Sequence, residues 1–86
     1  MVKAEQALQI IKDHWANKKF VIHNCSICEY PCGFIFREGL IFYDSGCYCI
    51  DEKMVEERND EFFLHYLRKN PDVIEKAFEE ERISVQ

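Results

Sequence analysis

Apolar residues at Ala4, Ala7, Leu8, Ile11 and Trp15 recur at the i, i+3, i+4 spacing of one helical face, with Lys3, Gln6, Lys12 and Asp13 elsewhere. The pattern predicts an amphipathic helix over residues 4–17, ended by Asn17-Lys18-Lys19. Phe20-Val21-Ile22 follows as a short run of β-formers leading into the first cysteines. In residues 33–43, GFIFREGLIFY, two aromatic-rich runs flank Glu38-Gly39, where glycine supplies the positive φ of a two-residue hairpin turn. The hairpin this implies pairs Arg37 with Leu40, Phe36 with Ile41, Ile35 with Phe42 and Phe34 with Tyr43. Side-chain alternation then puts Phe34, Phe36, Ile41 and Tyr43 on one face and Ile35, Leu40 and Phe42 on the other. Both faces are apolar, so the ribbon needs cover, which flanking helices can supply for at least one of them.

The rest of the chain reads as helical. Asn59 can cap a helix carrying Phe62, Phe63, Tyr66 and Leu67, and Asn70-Pro71 offers a cap followed by proline at the first helical position. Val73, Ile74, Ala77 and Phe78 form the stripe of that last helix. Residues 51–58, DEKMVEER, fit either a helical turn or a linker. The expected class is α+β: an N-terminal helix, a zinc-stapled, zinc-ribbon-like β-hairpin and two C-terminal helices.

A chain of 86 residues holds one small domain, 1–86, and buries little more than about 60% of its unfolded surface, a thin margin over chain entropy. A staple would widen that margin. No apolar run approaches the roughly 20 residues of a membrane helix, and the N-terminus has no basic stretch leading into an apolar one, so a cytoplasmic, reducing location is expected. There, five cysteines point to metal ligands or reactive thiols more than to disulfides.

Their pattern is Cys25-x2-Cys28-x3-Cys32, then fourteen residues, then Cys47-x-Cys49. Zinc takes four soft ligands in a tetrahedron, and two close pairs brought together by a hairpin provide them. Continued outward, the hairpin register sets Cys32 opposite Ser45, Tyr30 opposite Cys47 and Cys28 opposite Cys49. Cys25, Cys28, Cys47 and Cys49 fit best as ligands of a structural zinc. Cys32 is then a spare or a replacement for Cys25, since Pro31-Cys32-Gly33 also suits a tight turn after a ligand. His23, two residues before Cys25, is a further alternative. A reactive-cysteine enzyme would need a histidine base or an electropositive neighbour, and a C-x-x-C redox centre would need a helix N-terminus, whereas Cys28 leads towards a proline and a hairpin. No H-E-x-x-H, P-loop or nucleophile-elbow motif occurs. The expectation is a non-catalytic protein.

Charge directs the remaining argument. Residues 1–50 balance five acids with five bases, while residues 51–86 hold eleven acids and six bases, so the whole formal charge of −5 lies in the second half. Zinc on four thiolates would take the total to about −7, which disfavours direct binding to nucleic acid. Function then lies in recognition of a protein partner with a basic surface. The candidate contacts are Glu75, Glu79, Glu80 and Glu81, together with Phe34, Phe36 and Tyr43 on whichever hairpin face stays uncovered.

In its size, its acidity and the cluster running from Cys25 to Cys49, the chain resembles the small phage and mobile-element proteins that block bacterial defence, anti-CRISPR proteins among them. The resemblance is one of profile and brings no residue roles with it. It implies an inhibitor docked on the basic, nucleic-acid-binding surface of a Cas effector, with carboxylates where phosphates would lie. A zinc-ribbon-like adaptor bridging host proteins is the competing class, and a cysteine-dependent enzyme the third.

Overall fold

The computed structural model describes residues 3–45, 49 and 55–84. In chain order the elements are α1 (Ala4–His14), β1 (Lys19–Asn24), β2 (Pro31–Arg37), β3 (Leu40–Asp44), β4 (Val55–Arg58), α2 (Asp60–Lys69) and α3 (Pro71–Glu80). The strands form one antiparallel meander in the order β1-β2-β3-β4. The protein is therefore α+β, with one helix before a four-stranded sheet and two after it.

The β2–β3 hairpin has the register expected from its sequence, running from Arg37 opposite Leu40 to Phe34 opposite Tyr43 and on to Gly33 opposite Asp44. Glu38 and Gly39 both hold positive φ, 53° and 78°, as a two-residue turn between twisted strands demands. Two boundaries differ from expectation. The first helix stops at His14 because Asn17, at φ 65°, swings the chain out of the helix and donates its amide to Phe36 O at 3.0 Å. Residues 55–58 form a strand, neither a helical turn nor a linker, because the outer edge of β3 offers them a ladder. Val55 is the one apolar residue of that strand, so no alternation could announce it.

One face of the sheet is the floor of the core. Phe20, Phe34, Phe36 and Ile41 lie buried under Ala4, Ala7, Ile11 and Trp15 of the first segment, Phe63, Leu64 and Leu67 of α2, and Ile74 and Phe78 of α3. Phe63 sits at the centre, meeting Phe34 edge-on at a centroid distance of 4.6 Å and Phe36 at 5.3 Å. Helices α1 and α2 run antiparallel, pinned at one end by Lys12–Asp60 at 2.9 Å and at the other by Arg68–Glu5 at 2.6 Å. Asn59 caps α2 as expected, accepting the Phe62 amide at 2.9 Å. Asn70 instead turns its side chain back onto the carbonyl of Tyr66 at 2.9 Å, so it closes the end of α2 and leaves Pro71 to open α3.

This packing corrects one expectation about the partner surface. Phe34 and Phe36 are 0% and 4% exposed and Tyr43 is half-buried, because the helices cover the hairpin face these residues share. On the other face Val21 and Leu40 stay open, 44% and 43% exposed, while Ile27 in the β1–β2 connection and Phe62 on α2 are also exposed.

Candidate metal centre

The β1–β2 connection folds back on itself in six residues. Cys25 donates its amide to the carbonyl of Tyr30 at 2.9 Å, and its own carbonyl accepts from the Glu29 amide at 2.9 Å. Glu29 takes the left-handed conformation, φ 63°, directly after Cys28, and the side chain of Asn24 ties down its carbonyl at 3.1 Å. This tight loop brings the thiols of Cys25 and Cys28 to one side, and Cys49, from the β3–β4 connection, joins them. The three Sγ atoms lie within 4.8 Å of one another, with Cys25 and Cys49 3.8 Å apart. Four sulfurs bound at about 2.3 Å in a tetrahedron stand about 3.8 Å from each other, so the spacing suits a common metal ion. The Ile27 amide donates to Cys25 Sγ at 3.5 Å and holds that sulfur in the loop.

Three of the four expected ligands thus come together, and Cys47 lies outside the described residues. They meet through the fold-back loop. The β2 ladder starts at Pro31, so Cys28 is in the turn and not opposite Cys49 on a strand. Pro31, Cys32 and Gly33 are strand residues, which removes the reading of them as a tight turn. Cys32 is 2% exposed, outside the group of three, and its thiol pKa is pushed up by burial first and then by the charges of Asp44 and Cys25. His23 is exposed on β1, opposite Cys32, and does not belong to the group either.

A brace that pattern reading did not find holds the two arms of the site together. Asp44, only 3% exposed at the end of β3, accepts hydrogen bonds from Tyr30 Oη at 2.5 Å and from Lys19 Nζ at 2.9 Å. Lys19 also donates to the carbonyl of Pro31 at 2.9 Å and lies over the Tyr30 ring. Tyr30 follows the Cys25–Cys28 loop and Asp44 leads towards Cys49, so the carboxylate links both arms. Burial acts to lower the Lys19 pKa, but its hydrogen bonds to Asp44 and Tyr30 outweigh that and raise it. The Tyr30 pKa is raised by its bond to the Asp44 carboxylate and by burial. The available signal was an aspartate closing the apolar run Leu40-Ile41-Phe42-Tyr43, where a polar group at a strand end marks a partner to be sought.

The brace also depends on Gly33. A Cβ there would lie 2.1 Å from the carbonyl oxygen of Phe20, so only glycine lets β1 and β2 approach this closely beside the bulge between Val21 and His23.

The acidic candidates are on α3. Glu75, Glu79 and Glu80 are exposed, whereas Glu81 at the helix end meets His14 Nε2 at 2.7 Å and Lys18 Nζ at 3.6 Å. The bond to His14 is the largest of the influences that hold the Glu81 carboxyl below its ordinary pKa. Glu81 therefore ties α3 to the end of α1, a role that its place in a run of three glutamates did not reveal.

No family model matches this chain, and no match was found among curated proteins or solved structures. Among the described residues no helix is long and apolar enough to cross a membrane.

Proposed function

We propose that the protein is a non-catalytic recognition module, stapled by a structural zinc, that binds a protein partner through its acidic surface. The reading is carried by the three thiols within 4.8 Å of one another, contributed by two separate connections of the sheet. Soft thiolates favour zinc over the hard cations, and a fourth sulfur closes the coordination sphere in the manner of structural rather than catalytic sites. Zinc held this way contributes about 10–16 kcal/mol of apparent binding energy, comparable to the whole stability of a small domain.

The exposed carboxylates of α3, Glu75 and Glu79 one turn apart and Glu80 beside them, support a partner with a basic surface. A basic surface on a nucleic-acid-binding effector fits best, with the carboxylates competing for positions otherwise taken by phosphates, as in an anti-CRISPR-type inhibitor. The test is affinity capture from bacterial lysate with the zinc-loaded chain, followed by affinity measurements on the recovered protein at two salt concentrations. Recovery of a basic nucleic-acid-binding protein is expected, with binding weakened by salt, by competing nucleic acid and by the Glu75→Lys/Glu79→Lys double reversal. Binding indifferent to all three would remove the acidic surface from the mechanism, and recovery of a neutral host assembly would favour the adaptor.

A further inference from the structure

Strand β1 is an edge of the sheet, and although Phe20 on its inner face shares the core with Ile74 and Phe78 of α3, a groove opens between its outer half and the helix. One hollow of about 290 Å³ is walled by residues 21–24 of β1 and by Val73, Lys76, Ala77 and Glu80 of α3. A second, of about 220 Å³, shares Val21, Ala77 and Glu80 with it and continues past Trp15 and Lys19. The groove thus follows β1 along its length. Ala77 is the small residue in its helical wall, where a larger side chain would close the gap. An edge strand carries outward N–H and C=O groups that its one neighbour does not use.

We propose that this groove receives an extended segment of the partner chain, added to the sheet as a fifth strand along β1, with a lysine or arginine of that segment against Glu80. The proposal rests on the reading of the protein as a module for a basic partner and specifies how that partner enters. Strand addition draws affinity from main-chain hydrogen bonds and specificity from pockets for alternate side chains. The edge position of β1 and the hollows beside it suit both. The register shift between Val21 and His23 interrupts the edge, so pairing runs over short stretches and indiscriminate edge-to-edge association is suppressed. Selection then falls to the groove. Its apolar wall of Val73 and Ala77 takes an apolar side chain, and Glu80, which has no ion-pair partner among the described residues, takes the cation. Lys76, one turn before Glu80 on the same wall, disfavours a second cation beside the first.

The probe is a phage-displayed library of random twelve-residue peptides, selected on the zinc-loaded full chain, with the enriched peptides synthesised for amide NMR and hydrogen exchange. Enriched sequences should alternate apolar residues and carry a lysine or arginine, and their binding should shift and protect amides of residues 21–24. Glu80→Lys should weaken such a peptide at least tenfold, and Ala77→Trp should abolish binding while the amide spectrum outside the groove stays unchanged. The mapping on the unsubstituted protein decides the matter even if the tryptophan variant fails to fold. An absence of enriched peptides, enrichment of acidic peptides, or shifts confined to β4 or to the outer face of α3 would overturn the proposal. Loss of partner binding in the Glu75→Lys/Glu79→Lys variant but not in Ala77→Trp would overturn the groove alone. Peptide binding at β1 by a protein whose captured partner ignores salt would instead overturn the acidic-surface reading and leave the groove as a peptide site.

Discussion

Asp44, the last residue of β3, accepts a hydrogen bond from Lys19, the first residue of β1, at 2.9 Å, so two strands that are not neighbours are joined across β2. The two ends of this pair differ in burial: the Lys19 side chain is 20% exposed and that of Asp44 4%. Lys19→Met leaves a carboxylate with almost no access to water, and a loss of about 3–5 kcal/mol is expected. Asp44→Asn leaves an ammonium that can reach solvent and should cost less, about 1–3 kcal/mol. The double variant should cost less than the sum, since each change removes the partner of the other. Denaturant unfolding of the four proteins checks this, and additive losses would show that the brace does not act as a unit.

Metal content provides the second test. Purified protein should carry one zinc per chain and unfold under strong chelation. Cys28→Ser and Cys49→Ser should lose the metal and most of the stability that comes with it. Cys32→Ser should keep the zinc and lose only about 1–3 kcal/mol, the cost of a poorly partnered hydroxyl in a buried place. Elemental analysis with melting curves in chelator gives the ranking. A metal-free protein with an unchanged melting temperature would refute the staple, and the opposite ranking would make Cys32 a ligand.

The glycines of β2 and its turn should respond differently. Gly33→Ala forces a Cβ against the Phe20 carbonyl at 2.1 Å, so β1 must move, at a cost of about 3 kcal/mol or more. Gly39→Ala meets no atom within 4 Å and pays only for its φ of +78°, about 1–2 kcal/mol. Equal losses in the two variants would mean that the close approach of β1 and β2 is not rigid.

The two faces of the hairpin can be told apart by substitution. Phe34→Ala empties the centre of the core and should cost about 3–5 kcal/mol. Leu40→Ser on the open face should change stability by about 0.5 kcal/mol. Circular-dichroism melts suffice, and a large loss at Leu40 would indicate that something covers the open face in solution.

Stability should fall at alkaline pH. Lys19, Tyr30 and Tyr66 all have pKa values raised in the folded protein, from ordinary values of 10.5, 10.0 and 10.0. The folded state holds these protons more tightly than the unfolded chain, so the contribution is complete below about pH 10 and is lost as pH rises through the folded values. Tyr66, shifted by burial first, should lose its share of this dependence in Tyr66→Phe. Urea midpoints measured between pH 8 and pH 11, a range spanning roughly those titrations, check the sign, and a rise in stability across it would contradict the assignment.

Features that neighbouring residues settle among themselves could be read directly from the chain. Helical spacing marked α1 and α3, Asn59 marked the start of α2, and Glu38-Gly39 set the register of β2 and β3 to the residue. The residue types and the close spacing of Cys25 and Cys28 were legible as soft ligands, whereas the approach of Cys49 came through the fold-back loop and not through the hairpin register. The tertiary structure decided which apolar face became core. Both faces of the hairpin carry aromatic or aliphatic residues, and only the positions of three helices chose the Phe34 face over the Leu40 face. It also made a strand of residues 55–58, whose polar sequence has no strand signal until β3 offers unpaired amides and carbonyls. The same holds for Asp44, Lys19 and Tyr30, and for Glu81 with His14, where each charge finds its partner at a sequence distance that no periodicity spans. Burial and long-range pairing depend on how the whole chain closes on itself, and that closure is a property of no single segment.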